Sequence, residues 1–310
     1  MGFLTRLLSN FRFCQKVNNY VDDRLKVNQM MSLSDFLEIH YSQLTQHSTD
    51  FGISNVEYVP NRKIIVSLTS HDSRILDAYL AIETIMQGTL KPNRIVLWLP
   101  EGKPVTSIYL ENQIKRGLEV HYVKDLGPQT KLVYALKSFP DDIIITIDDD
   151  IFYKPDMIEN LLKVYQEDSS SILANRVSVI TKNQNGKVNS YLKWIHYNYP
   201  ERYTKNNVII GVEGCLYPPY SLSDEVFNEE VFRDICPTAD DIWFTAMAML
   251  KGTKIIHVEG RFDKGFAGGV ANLRMQKNGL VHQNEDPKDC LNDTQFKSVF
   301  HKYNLYPLIG

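Results

Sequence analysis

Between residues 62 and 165 short β-type runs alternate with segments of helical length, and that alternation leaves few architectures open. KIIVSLTS, RIVLWLP, LEVHYVKD and DIIITIDDD read as four strands, while SRILDAYLAIETIMQ, SIYLENQIKRG and TKLVYALKSF read as the helices between them, with a further helix after Pro155. Apolar strands separated by helices predict a Rossmann-type α/β fold, a mostly parallel central sheet flanked by helices on both faces. Ligands of such sheets sit outside the carboxyl ends of the strands, so the loops that follow the strands are the places to look for chemistry.

The flanking segments are less regular. Residues 1–60 read as a polar helical extension, with SLSD at Ser32 to Asp35 resembling a capping box. After residue 170 the pattern loosens until the helix DDIWFTAMAMLKG and the strand KIIHVEG, and the last forty residues have the composition of a mobile tail or lid. The opening MGFLTRLLSNFRFCQK is basic and apolar, which suits a helix lying on an anionic membrane and suits equally a terminal helix packed on its own domain. No apolar run approaches the roughly 20 residues that cross a bilayer, and no signal-peptide pattern is present. The four cysteines are far apart without a C-x-x-C pair, so a reducing, cytoplasmic location is expected, possible contact being with the inner face of the cell membrane. A formal net charge of -3 argues against nucleic acid as a partner.

The fourth strand ends in Asp148, Asp149 and Asp150. Three adjacent carboxylates repel one another in a partly desolvated site, and a divalent cation is the natural remedy. In an extended chain alternate residues point the same way, so Asp148 and Asp150 would face one ligand and Asp149 would turn elsewhere. Hard carboxylate oxygens suit Mg²⁺ or Mn²⁺, ions that keep positions open for substrate phosphates.

IVSLTSHDSR, DLGPQTKLVYALKSFPDDIIITIDDDIFY, GVEGCLYPP and ADDIWF, in this order, resemble bacterial GT-A-type glycosyltransferases of the family 2-like group that build surface polysaccharides. The resemblance covers roughly residues 62 to 300 and departs at GVEGC, where a second glycine is expected in place of Glu213. It implies a GT-A-like fold, a nucleotide-sugar half at about 61–165 and an acceptor half at about 166–300. It also implies a nucleotide-sugar donor, a UDP-sugar first among them, and a glycan or glycolipid acceptor. Asp148 and Asp150 would hold Mn²⁺ or Mg²⁺ on the donor diphosphate. Thr69, Ser70, His71 and Arg74 after the first strand, together with Lys131, Asp148 and Asp149, would contact the nucleotide-sugar; a cation at a strand's carboxyl edge neutralises phosphate in any case. Asp240 would orient the acceptor, and Asp241 would be the general base of an inverting transfer.

Each residue has a plainer reading beside it. Thr238 and Asp241 have capping-box spacing, and acids in a first turn are stabilised by the helix dipole. Arg74 could be a surface residue one turn into a helix, whereas Lys131 keeps its functional reading, because the turn into a helix N-terminus before it already invites phosphate. His282, in a polar segment, is the candidate for an additional metal ligand, whereas His257 in an apolar strand reads as a hydrogen-bonded core residue. Trp194, Trp243, Tyr217 and Tyr220 could stack on sugars, though core packing is commoner. A dehalogenase-type phosphatase would carry its D-x-D on the first strand with a threonine where Phe152 stands, and a sugar-nucleotidyl transferase would show a Gly-rich N-terminal signature absent here. A nucleotide-sugar-binding or scaffold subunit that has lost the chemistry is the non-enzymatic alternative.

Overall fold

The computed structural model describes residues 23–102, 107–196, 201–258 and 268–310, so the basic N-terminal sixteen residues lie outside the described residues. Among the described residues the strands are β1 (Ile64–Thr69), β2 (Arg94–Pro100), β3 (Leu118–Val123), β4 (Ile143–Thr146), β5 (Ile151–Tyr153), β6 (Ile172–Ala174), β7 (Val177–Val179), β8 (Asn207–Ile209), β9 (Cys215–Tyr217), β10 (Ile255–His257) and β11 (Gly269–Ala271). Seven of them form the central sheet in the order β10-β6-β9-β4-β1-β2-β3. Val66 of β1 pairs in parallel with Ile95 of β2 and with Ile145 of β4, and only β9 runs antiparallel, against both β4 and β6. The predicted α/β class and mostly parallel sheet are therefore what the chain forms.

The α-helices among the described residues are α1 (Asp23–His47), α2 (Tyr79–Met86), α3 (Ile108–Lys115), α4 (Thr130–Ser138), α5 (Met157–Glu167), α6 (Glu229–Ile235), α7 (Asp240–Lys251), α8 (Val281–Asn284) and α9 (Leu291–Lys302). Strand alternation splits the core in two. Ile65, Val96 and Ile144 pack with Leu132 of α4, Trp243 of α7 and Phe296 of α9, while Val66, Leu97 and Ile145 pack with Ile82 of α2 and Leu161 of α5. The helix α7 stops at Gly252, whose φ of 78° closes the helix in a left-handed conformation that costs a glycine little.

Two expectations about the flanks are corrected. Ser32–Asp35 is not a helix start, because α1 already runs from Asp23, and Ser34 Oγ instead accepts a hydrogen bond from Leu273 N at 3.3 Å. Leu37 and Tyr41 of α1 join the core, and Tyr41 stacks on Phe152 with ring centroids 5.9 Å apart. The C-terminal segment is likewise not a loose tail: Phe296, Val299 and Phe300 of α9 are buried, each such side chain contributing about 1.5–3 kcal/mol of burial.

Candidate active site

The acidic run sits on a turn, which corrects the alternation expected of it. Strand β4 ends at Thr146, Ile147 N still donates to Ser67 O at 3.1 Å, and Asp148–Asp150 then bend into β5. Two contacts pin the bend. The buried Tyr153 hydroxyl accepts from Asp148 N at 2.8 Å and donates to Val212 O at 3.0 Å, while Asn272 N donates to Asp150 O at 2.8 Å. In consequence it is Asp149 and Asp150 that share a partner, and Asp148 that faces a different one.

Those partners are cations brought from two other strand ends. From the loop after β1, Ser70 Oγ donates to Asp149 Oδ2 at 2.6 Å, and Arg74 binds Asp149 through Nε and its NH2 nitrogen while lying 2.8 Å from Asp150 Oδ2. From the first turn of α4, Lys131 Nζ lies 2.5 Å from Asp148 Oδ1 and 3.1 Å from Asp240 Oδ2. The second of these distances allows charge attraction but the angle gives no hydrogen bond, so Asp240 Oδ2 is buried without one. Lys131 thus joins the acidic turn to the acid pair that opens α7. Thr69 and His71 do not take part: Thr69 Oγ1 donates to Trp98 O at 3.0 Å, and exposed His71 pairs with Asp72 at 3.2 Å.

The capping-box reading of Thr238 and Asp241 is corrected too. The helix is capped at Ala239 without a side-chain bond, and Thr238 Oγ1 donates to Asn284 Oδ1 at 2.7 Å. The backbone amides of Thr238 and Ala239 are held by Gln295 Oε1 of α9, at 2.9 and 3.2 Å. Asp241 spends its carboxylate on the loop before β9, where Oδ1 accepts from Gly211 N at 2.9 Å. A Cβ at position 211 would stand 2.9 Å from that same oxygen, so only glycine lets the backbone come so close. Glu213, which stands where a second glycine was expected, is buried, and its Oε2 accepts from Gly268 N at 2.9 Å.

Five carboxylates share two cations here, and the electrostatics follow. Burial, then the charges of Asp149 and Asp148, push the Asp150 carboxyl up to about 7, against the pull of Arg74. Burial and Asp240 push Asp241 well up, opposed by Lys131. Burial also works against a charge on Lys131, but Asp148, Asp240 and Asp241 outweigh it and hold the ammonium protonated. Arg74 is held protonated in the same way by Asp149 and Asp150. Such a surplus of hard oxygens, one of them buried without a hydrogen bond, is chemically suited to a divalent cation. Among the described residues no group of three or more His, Cys, Asp or Glu side chains is arranged to hold a metal ion by itself.

The remaining candidates fall outside the cluster. His282 is exposed and its Nε2 meets Gln276 O at 3.1 Å, with no contact to the acidic turn among the described residues. His257 is buried with Nε2 at 3.1 Å from Asn175 O, the core role read for it. Trp194, Trp243 and Tyr217 are core residues, and Tyr220 is exposed with its hydroxyl on Asp141. Sequence reasoning missed Tyr153, Gly211 and Gln295, whose roles depend on partners 5, 30 and 57 positions away.

Several solved structures share part of the backbone course. The mannosyltransferase PcManGT from Pyrobaculum calidifontis, in complex with GDP-Man and Mn²⁺, is 12% identical over 77% of this chain and 68% of its own, with a TM-score of 0.40. A CMP:2-keto-3-deoxy-manno-octonic acid synthetase complexed with CTP is 14% identical over 72% of this chain and 99% of its own, with a TM-score of 0.41. The glucosyl-3-phosphoglycerate synthase from Mycobacterium tuberculosis, in complex with Mn²⁺, UDP and phosphoglyceric acid, is 16% identical over 37% of this chain and 43% of its own, with a TM-score of 0.28. No curated protein matches the chain. Residues 109–231 match the family described as Glycosyl transferase family 2, a stretch that holds Lys131 and Asp148–Asp150 and ends before Asp240 and Asp241.

Proposed function

We propose that the protein is a metal-dependent glycosyltransferase that moves a sugar from a nucleotide-sugar donor to a glycan or glycolipid acceptor. One observation carries the reading: Ser70 and Arg74, Lys131, Asp148–Asp150 and Asp240–Asp241, drawn from four separate segments, meet at the carboxyl ends of β1 and β4. Isolated, none of these residues specifies a reaction. Together they offer cations for a diphosphate, hard oxygens for a divalent ion, and a further acid pair on the next helix. The match of residues 109–231 to glycosyl transferase family 2 supports the same class.

In this reading residues 61–165 form the donor half and residues 166–300 the acceptor half. Arg74 and Lys131 exchange part of their carboxylate contacts for donor phosphate oxygens, and Asp148 and Asp150 are the residues that would hold Mn²⁺ or Mg²⁺. Such an ion would supply Lewis-acid stabilisation for the leaving diphosphate. Asp240 accepts hydrogen bonds from the acceptor sugar. Asp241, kept in place by Gly211 N, takes the proton of the attacking hydroxyl, and because burial and Asp240 raise its pKa it is a stronger base than an ordinary carboxylate. The transfer inverts the anomeric centre. The donor is a UDP-sugar, the product a cell-surface polysaccharide, and the enzyme works at the cytoplasmic face of the membrane, touching it through the first sixteen residues.

A donor screen tests this. Release of nucleoside diphosphate from UDP-, GDP- and CMP-linked sugars is followed with and without Mn²⁺. UDP-sugar turnover that needs the metal, and falls by about 10²–10⁴ in Asp241→Asn once an acceptor is supplied, is the expected result. Absence of turnover and of binding for every donor would reject it.

A further inference from the structure

A cavity lies apart from the acidic cluster, between the 182–190 segment and the C-terminal helix α9, with a volume of about 460 Å³. That volume is within the roughly 300–1,000 Å³ of small-molecule sites. Three of its lining residues are Lys182, Lys187 and Lys297, and the single lining acid, Asp293, is already occupied. Its two oxygens accept from Ser190 Oγ at 2.6 Å and from Tyr191 N at 2.7 Å. Lys182 Nζ donates to Ile309 O at 3.2 Å, a bond that places the ammonium without neutralising it. Lys187 and Lys297 are exposed and form no ion pair among the described residues. Three lysines against one carboxylate leave the cavity with a positive surplus.

Its walls are built. Asn183 N and Lys187 O close the turn at 2.8 Å, Asn189 Nδ2 donates to Thr181 Oγ1 at 2.8 Å, and Trp194 Nε1 donates to Asn189 O at 3.0 Å. The opposite wall carries the ring of Tyr306 edge-on to Phe296, centroids 6.2 Å apart. Amide and hydroxyl groups beside an aromatic ring are the groups that hold sugars, and ammonium groups are those that hold an acidic substituent.

The cavity is also tied to the acceptor end of the main site. Gln295, two positions before Lys297 on α9, accepts the amides of Thr238 and Ala239 that lead into Asp240 and Asp241. One helix thus positions the acid pair and lines the lysine cavity.

We infer that this cavity is a subsite for an anionic saccharide, the acidic part of the acceptor chain whose growing end lies at Asp240 and Asp241. The inference rests on the glycosyltransferase reading for its direction, but the binding can be measured without turnover. The probes are trigalacturonic acid, glucose 6-phosphate, neutral maltotriose and inorganic phosphate, titrated calorimetrically into the full chain. The first two separate a carboxylate from a phosphate as the acidic group.

One or both acidic sugars should bind, maltotriose should not, and binding should weaken as salt rises. Lys187→Glu with Lys297→Glu should weaken it about tenfold or more, and the Gln pair should do so by less; both positions are exposed, so melting temperature should hold. Thermal stabilisation by UDP and Mn²⁺ should be the same in these variants as in wild type. Equal binding of maltotriose, undiminished binding by the charge-reversed pair, or displacement of the sugar by an equal concentration of phosphate would each overturn the subsite. Failure of UDP to bind while the acidic sugar still does would instead strike the donor reading and leave the cavity as assigned.

Discussion

Lys131→Met is the substitution on which the electrostatic account is most exposed. Methionine keeps the length and apolar bulk of the stem, so the change removes little except the ammonium. That group lies 2.5 Å from Asp148 Oδ1 and 3.1 Å from Asp240 Oδ2, with the lysine side chain only 7% exposed. Removing one partner of a buried ion pair costs about 3–5 kcal/mol. Asp148 retains 27% exposure, so water offsets part of this, and a loss of about 2–4 kcal/mol is expected near neutral pH. In thermal melts of a chain this long that is a fall of roughly 3–6 °C. Near pH 5 the loss should shrink, because Asp241, which burial and Asp240 push up against Lys131, is more readily protonated once the ammonium is gone. Mn²⁺ should raise the melting temperature of the variant more than that of wild type, since a cation replaces the one removed. A loss below about 0.5 kcal/mol that is the same at both pH values would show that Lys131 does not hold these carboxylates together.

Other substitutions test single links. Tyr153→Phe strips a partner from both Asp148 N and Val212 O and should cost about 2 kcal/mol in chemical denaturation. Gly211→Ala sets a methyl 2.9 Å from Asp241 Oδ1; the carboxylate can turn aside, so stability should fall by under about 1 kcal/mol while kcat falls by about 10–10² in the transfer assay. The pH dependence follows from Asp150, whose carboxyl rises from 3.8 to about 7 on folding. A raised acid favours the fold while protonated, so its contribution is complete below 3.8 and is lost as pH climbs toward about 7, by at most about 4 kcal/mol. Asp150→Asn should flatten that part of the stability profile, and Mn²⁺ affinity of the wild type should strengthen through the same window as the proton leaves.

The sheet was legible because its signal is local. Ile64, Val66 and Leu68 alternate with Ile65 and Ser67 within six residues, and each following helix declares itself over two or three turns. Strand β9, only Cys215–Tyr217, carries too few residues to show a period, and nothing local reveals that it runs antiparallel between β4 and β6. Helix α9 was misread from its polar residues, although Phe296, Val299 and Phe300 already have the i, i+3, i+4 spacing of a buried stripe. At the site, the residue types were readable and the pairing was not. Asp148–Asp150 looked like a strand end because apolar residues precede them, whereas the ladder stops at Thr146 and the turn geometry gives Asp149 and Asp150 to Arg74 and Asp148 to Lys131. The spacing of Thr238 and Asp241 fitted a cap until Asn284 and Gln295, more than forty residues on, took the bonds a cap would have made.

The central claim, that Asp148 and Asp150 hold a divalent ion on a nucleotide diphosphate, is tested most directly by calorimetric titration of UDP in the presence and absence of Mn²⁺. Wild type should bind UDP at least about tenfold more tightly with the metal, and the Asp148→Asn, Asp150→Asn double variant should lose that dependence while its apo form melts no lower than wild type, since like-charge repulsion has been relieved. Metal-dependent UDP binding by the double variant equal to that of wild type would contradict the assignment.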